Sequence, residues 1–166
     1  MNLFLGDKNN IAVELRKVSR QSNAALVGYG RLWLGGHSLG SIEELIYIEG
    51  YLLGGLRQML EVSSIDDKAF PHSVQKQYYY FRRKLKSQDE DVSSFQISFG
   101  PLTDSFTQFA YVDGAEIATL WKLNIKKNNY VHKDLSKYPD QVFHHSIPIN
   151  ALKEFSDRFE RLISSW

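Results

Sequence analysis

The chain contains no cysteine. Disulfide staples, thiolate nucleophiles, sulfur-ligated zinc and iron–sulfur clusters are excluded together. Long apolar runs are missing as well, since none approaches the ~20 residues that a bilayer-spanning helix requires. The opening residues Met1-Asn2-Leu3-Phe4-Leu5-Gly6-Asp7-Lys8 lack the basic segment and apolar stretch of a secretory signal. The expectation is a cytoplasmic protein with no membrane contact. Nor is one charge sign in excess: 20 basic residues meet 19 acidic ones, for a formal net charge of +1. Affinity for nucleic acid comes largely from phosphate neutralisation, so this balance weighs against nucleic acid as the main partner while leaving room for a local patch.

Aromatic residues, by contrast, are plentiful. Ten Phe, nine Tyr and three Trp make up 13% of the chain, more than a minimal core needs. Such residues suit β-structure and protein interfaces. With 166 residues, 43% hydrophobic and 23% charged, the expectation is a single globular domain over residues 1–166.

Residues 11–18 alternate apolar and polar and predict a strand. Residues 26–34 repeat the pattern, with Leu26, Gly28, Gly30 and Leu32 on one face and Val27, Tyr29, Arg31 and Trp33 on the other. Gly35-Gly36 supplies a turn, after which a short strand follows from His37. Residues 41–48 read as either strand or helix. The period becomes helical over residues 49–62, where Leu52, Leu56, Met59 and Leu60 share a face. Gly50, Gly54 and Gly55 weaken that helix, which implies close packing at these positions, Gly54 included. A second helix starts near Pro71 with the stripe Val74, Tyr78, Phe81 and Leu85. Gln88-Asp89-Glu90-Asp91 reads as a charged loop, and Phe95, Ile97 and Phe99 as an alternating strand. Two strands around Asp113-Gly114 form a hairpin. A polar connection covers residues 126–137, and a last strand, residues 142–149, carries Pro148 as the mark of an edge or a strand end. Asn150 is placed to cap a final helix striped by Leu152, Phe155, Phe159 and Leu162. The order strands–helices–strands–helix predicts an α+β fold of antiparallel meanders packed on helices.

The residues offer little chemistry. His144 and His145 are neighbours on a strand and point to opposite faces, so they cannot share a metal ion. An acid–base pair drawn from His132, His145 and a lysine could mimic a ribonuclease centre, but no spacing supports it. Residues 35–41 are glycine-rich but lack the Gly-Lys-Ser/Thr ending of a phosphate loop, and no catalytic or dinucleotide motif is present. No metal ligand set and no cofactor is expected. Lys76, Tyr78, Tyr79, Tyr80, Arg82, Arg83, Lys84 and Lys86 form the most basic, most aromatic stretch, which could stack bases and neutralise phosphates. Tyr78 belongs to the apolar stripe, however, and the acidic residues that follow would offset the potential. The residues alone support a non-enzymatic α+β binding domain.

Gly6-Asp7, Ile11-Ala12-Val13-Glu14, the run from Gly28 through Tyr29, Gly30, Arg31, Leu32, Trp33 and Leu34 to Gly35-Gly36, Leu39-Gly40 and the Leu-rich residues 52–60 form a pattern. Over residues 6–60 it resembles the Immunity protein 42 family. The resemblance implies an antitoxin of polymorphic or contact-dependent toxin systems, without catalytic activity, that binds the C-terminal domain of a cognate toxin, usually a nuclease. Nuclease toxins are commonly cationic where they receive phosphate, so acidic loops would steer them in. Asp89, Glu90 and Asp91 are the candidate toxin-binding residues, with Glu43 and Glu44 beside them and Asp66-Asp67 as a weaker pair. The alternative is a nucleic-acid-binding module that uses the sheet and the basic aromatic helix from Tyr78 to Lys86.

Overall fold

The computed structural model describes residues 2–22, 24–124 and 132–166. Of the polar connection over residues 126–137, residues 126–131 lie outside the described residues.

The described residues form two antiparallel sheets, which contain the predicted strands and one that was not predicted, residues 3–6. The first contains β1 (Leu3–Gly6), β2 (Ile11–Arg20), β3 (Leu26–Leu34) and β4 (His37–Leu39) in that order, and β5 (Leu45–Tyr47) pairs with β3 as well. Strand alternation does what the sequence predicted. Leu26, Gly28, Gly30, Leu32 and Leu34 are buried along β3 while Val27, Tyr29, Arg31 and Trp33 stay partly exposed. Gly35 and Gly36 adopt φ of +55° and +85°, the left-handed backbone of the turn into β4. The ambiguous residues 41–48 resolve as the short strand β5, with Tyr47 opposite Val27 and Leu45 opposite Tyr29.

The second sheet runs β6 (Phe106–Asp113), β7 (Glu116–Leu123), β8 (Phe143–Pro148). The hairpin turn falls at Gly114-Ala115, because Asp113 pairs with Glu116 and only Gly114 takes positive φ (+60°). A single left-handed residue at the first central position is what glycine supplies. Almost every residue of β6 and β7 is buried. The cause is that both faces are covered. Ala110, Ile117, Trp121 and Ile147 enter a large core shared with the first sheet, while Phe109, Tyr111, Ala118 and Leu120 enter a second, aromatic core.

Helices close both cores. The expected helix over residues 49–62 is split: Glu49–Leu53 forms a π-helical turn, and α1 (Gly54–Leu60) continues it. Close packing is confined to Gly50 and Gly55. A Cβ on Gly55 would lie 2.2 Å from the Phe99 ring and one on Gly50 2.5 Å from Tyr47, whereas Gly54 has nothing nearer than a carbonyl oxygen at 3.9 Å. The expectation that Gly54 packs tightly is therefore corrected. Gly54→Ala should be neutral or stabilise by up to ~1 kcal/mol through helix propensity, as read by urea denaturation. A loss of stability would show that the face is occupied after all.

The aromatic core is covered by α2 (Val74–Lys86), followed by the one-turn α3 (Glu90–Ser93). Phe95, Ile97 and Phe99 are not a regular strand. Their segment meets β6 at a single bridge, Gln96 opposite Phe109, between α3 and a 3-10 turn at Gly100–Thr103. The last helix, α4 (Ile149–Ser164), begins after Pro148, so Asn150 lies in its first turn and does not cap it. The Ile149 N–H instead donates to the Ala115 carbonyl at 3.0 Å. At the other end, the Arg20 guanidinium donates to the carbonyls of Trp166 (2.8 Å) and Ile163 (3.2 Å), satisfying acceptors that a helix terminus leaves open.

Candidate functional site

Helix α2 presents two charged surfaces for reasons legible in its sequence. Ser73 caps it, its hydroxyl accepting from the Lys76 N–H at 3.4 Å, and Arg83, Lys84 and Lys86 in the last turn suit the carbonyl end of the helix. At about 100° per residue, Val74, Tyr78, Phe81 and Leu85 fall on the core side. Lys76, Tyr79, Arg83 and Lys86 fall on one flank, and Tyr80 and Lys84 on the other.

The Lys84 flank gathers acidic groups from two segments. The ammonium of Lys84 lies 3.8 Å from Asp67 and 3.6 Å from Asp89, so it joins the segments carrying Asp66-Asp67 and Asp89-Glu90-Asp91. The Tyr80 hydroxyl donates to Asp67, whose other oxygen accepts from the Ala69 N–H at 2.8 Å. The Tyr80 hydrogen bond first, then that of Ala69, holds the Asp67 carboxyl below its ordinary range. Lys84 also lies over the Tyr80 ring, 4.9 Å from its centroid, and its hydrogen bond with Tyr80 raises its pKa. These are surface pairs, and the fold gains little from them. They bring carboxylates of the two acidic segments to one lysine. Asp66, Glu90 and Asp91 remain exposed.

The predicted charged loop is corrected in one respect. Asp89 is the N-cap of α3, accepting from the Asp91 N–H at 3.2 Å, and Glu90 and Asp91 form its first turn. Acidic residues at a helix N-terminus are favourable, which offsets their mutual repulsion.

Glu43 and Glu44 sit elsewhere, in the connection before β5. Glu44 pairs with His132 Nε2 at 2.8 Å, and Glu43 accepts from the Lys133 N–H at 2.9 Å. Asp134 completes the latch, accepting from the Ser41 hydroxyl at 2.8 Å and the Ile42 N–H at 2.9 Å. Among the described residues, no hydrogen bond or ion pair joins Glu43 or Glu44 to the acidic groups around Lys84.

The remaining histidines are dispersed. His37 packs against the Phe143 ring at 4.6 Å, and His145 lies against Gly35 with its Nε2 3.3 Å from the Asn10 side-chain oxygen. Burial, then the neighbouring His144, depresses the His145 pKa. Among the described residues no three His, Asp or Glu side chains come together as a metal-binding group.

Sequence reasoning passed over the open face of the first sheet. There Glu14 accepts from Arg16 (2.6 Å), Arg31 (2.9 Å) and Trp33 Nε1 (3.2 Å), and Lys8 lies 4.0 Å from the Trp33 ring centroid. Burial works to raise the Glu14 carboxyl, but the Arg16 and Arg31 hydrogen bonds and the Arg31 charge outweigh it and lower its pKa. The signal was present in the Tyr29-Arg31-Trp33 side of β3, which carries the residue types favoured at interfaces.

No family model matches the chain, and no curated protein is similar to it in sequence. The pattern read over residues 6–60 thus stands without a matching family model. A solved structure shares the fold: CdiI from Burkholderia dolosa AUO158, with a TM-score of 0.62 over 96% of this chain and 99% of that one, at 12% sequence identity. No helix among the described residues is long and apolar enough to cross a membrane.

Proposed function

We propose that residues 1–166 form one immunity-type domain that acts in the cytoplasm, without catalysis, by binding and neutralising a cognate toxin domain in contact-dependent growth inhibition. The observation that carries this reading is the fold shared with CdiI, an immunity protein of a contact-dependent inhibition system, over nearly the whole of both chains. The proposed toxin is a nuclease with a cationic cleft, and the proposed docking surface is the acidic flank of α2: Asp89, Glu90 and Asp91 with Asp66 and Asp67. Glu43 and Glu44 are secondary candidates, since His132 and Lys133 already engage them.

The test uses the C-terminal domain encoded by the neighbouring toxin gene. Asp89→Asn, Glu90→Gln and Asp91→Asn together keep the α3 cap, because asparagine caps as well as aspartate. The triple variant should associate about tenfold more slowly at low salt, the lower end of what electrostatic steering contributes. The defect should shrink as salt shortens the Debye length from ~10 Å at 0.1 M to ~3 Å at 1 M. A wild-type rate at low salt would remove this flank as the docking surface. Failure of the wild-type protein to bind that domain at all would overturn the immunity reading itself.

A further inference from the structure

The other flank of α2 is cationic and concave, and the docking reading does not use it. Gln75, Lys76, Tyr79, Arg82, Arg83 and Lys86 line a cleft of about 820 Å³. Lys76, Tyr79, Arg83 and Lys86 follow a 3-4-3 spacing, which makes a straight stripe about 15 Å long on one helix face. Among the described residues no hydrogen bond or ion pair engages the charged ends of Lys76, Arg83 or Lys86, and Arg82 reaches only the Thr107 hydroxyl, at 3.3 Å. The Tyr79 side chain lies at the junction with a smaller cleft of about 390 Å³ that extends to Lys122 and Val142. There Lys122 is paired with Asp140 at 3.1 Å and approaches the Tyr79 hydroxyl at 3.5 Å. Tyr79 remains 46% exposed. Of the carboxylates that follow the helix in sequence, Asp89 pairs with Lys84, about a third of a turn around α2 from this stripe.

We propose that this cleft binds single-stranded nucleic acid, with phosphates along Lys76, Arg82, Arg83 and Lys86 and a base stacked on Tyr79. A row of cations with no acidic partner among the described residues, beside an exposed aromatic ring, is the arrangement by which single strands are held without sequence preference. An acidic protein segment would use the cations and leave the ring idle. A duplex would do the same, because its base faces are already stacked. The inference is independent of the toxin reading and is tested with no toxin present.

The full-length protein is titrated into short fluorescein-labelled oligouridine and oligothymidine, with anisotropy as the readout. Four phosphate contacts predict a slope of about −3 in log K against log salt, hence a loss of about 50-fold between about 50 and 200 mM salt. Tyr79→Ala should weaken binding at least about 5-fold while leaving that slope unchanged. Arg83→Glu with Lys86→Glu should weaken binding by more than about 20-fold and flatten the slope. Lys76→Gln with Lys86→Gln supplies a milder pair should charge reversal disturb the helix, with a smaller loss and a shallower slope. Lys153→Glu, exposed on α4, should change nothing. Any of three results overturns the proposal: no anisotropy change at about 50 mM salt, equal affinity for duplex and single strand, or oligoglutamate competing as well as oligonucleotide with Tyr79→Ala without effect.

Discussion

Replacing Gly6 with alanine should destabilise the protein by about 2–5 kcal/mol, whereas Gly36→Ala should cost only about 1–2. Both glycines have left-handed backbone, φ +97° and +85°. At Gly36 the strain acts alone, since an added Cβ would meet nothing closer than the Asn9 side-chain oxygen at 3.7 Å. At Gly6 the Cβ would also lie 2.3 Å from the Ile11 carbonyl oxygen and 2.7 Å from the Phe155 ring. Neither neighbour can yield easily. The Ile11 carbonyl accepts the Asp7 N–H at 3.0 Å within the β1–β2 turn, and Phe155 is a core residue of α4. Relief would require opening the turn or lifting α4 from the sheet. Urea denaturation of the two variants separates the contributions. Equal losses would show that backbone strain is the whole effect and that α4 does not press on this turn.

The Gly6-Asp7 pair was visible in the sequence as part of a family-like pattern, but its physical reason is tertiary. The same division runs through the fold. Strands β2 and β3, the β6–β7 hairpin, α2 and α4 were legible because each carries its periodicity in a dozen residues or fewer. The errors lie where contacts outside the local pattern decide. The stripe Leu52, Leu56 and Met59 is buried through the π-helical turn and beyond it, as its period predicts, but which glycine is packed depends on what lies opposite it. It is Gly55 that meets Phe99, and Gly54 is left open. Around Asp89 the composition suggested a solvated loop, although an aspartate followed by two acidic residues is also an N-cap with a favourable first turn. In the Phe95–Ile97–Phe99 segment the alternation was real. Ile97 and Phe99 are buried, but only Gln96 finds a strand partner, so alternating burial formed without a ladder.

The candidate site was legible in part for the same reason. Each acidic cluster could be read from the chain, and each was weighed alone. That Asp67 and Asp89 share one lysine follows from α2 lying between their segments, a fact that no local pattern contains. Glu43 and Glu44 show the converse. As a sequence pair they resembled a free acidic patch, and the fold supplies His132 and the Lys133 amide from a distant segment to engage them. Charge clusters read from a sequence identify the groups, while their availability depends on which partners the topology brings near.

Because α2 carries the cationic cleft and, through Lys84, meets the acidic segments, the residue anchoring it should matter most, and Phe81→Ala is expected to cost about 3–5 kcal/mol. Phe81 stacks on Phe109 with ring centroids 4.9 Å apart, and Phe70 at 5.6 Å and Phe95 at 5.5 Å enclose it. That loss is a large part of the ~5–15 kcal/mol by which a domain is ordinarily stable. It should not be spread evenly. The aromatic core beneath α2 is separate from the core that holds β2, β3, α1 and α4. A cavity there weakens the docking of α2 on β6 and β7 first, and leaves the packing of Leu15, Leu32 and Leu52 in place. Amide hydrogen exchange should therefore show α2 losing protection in Phe81→Ala well before β2 and β3 do, as expected when one packed unit opens ahead of the rest. Toxin association and oligonucleotide binding should fall together in this variant, although neither ligand is proposed to touch the buried ring. Equal loss of protection in α2 and in β2–β3 would show that the two cores open as one cooperative unit, and the separate anchoring of α2 would have to be abandoned.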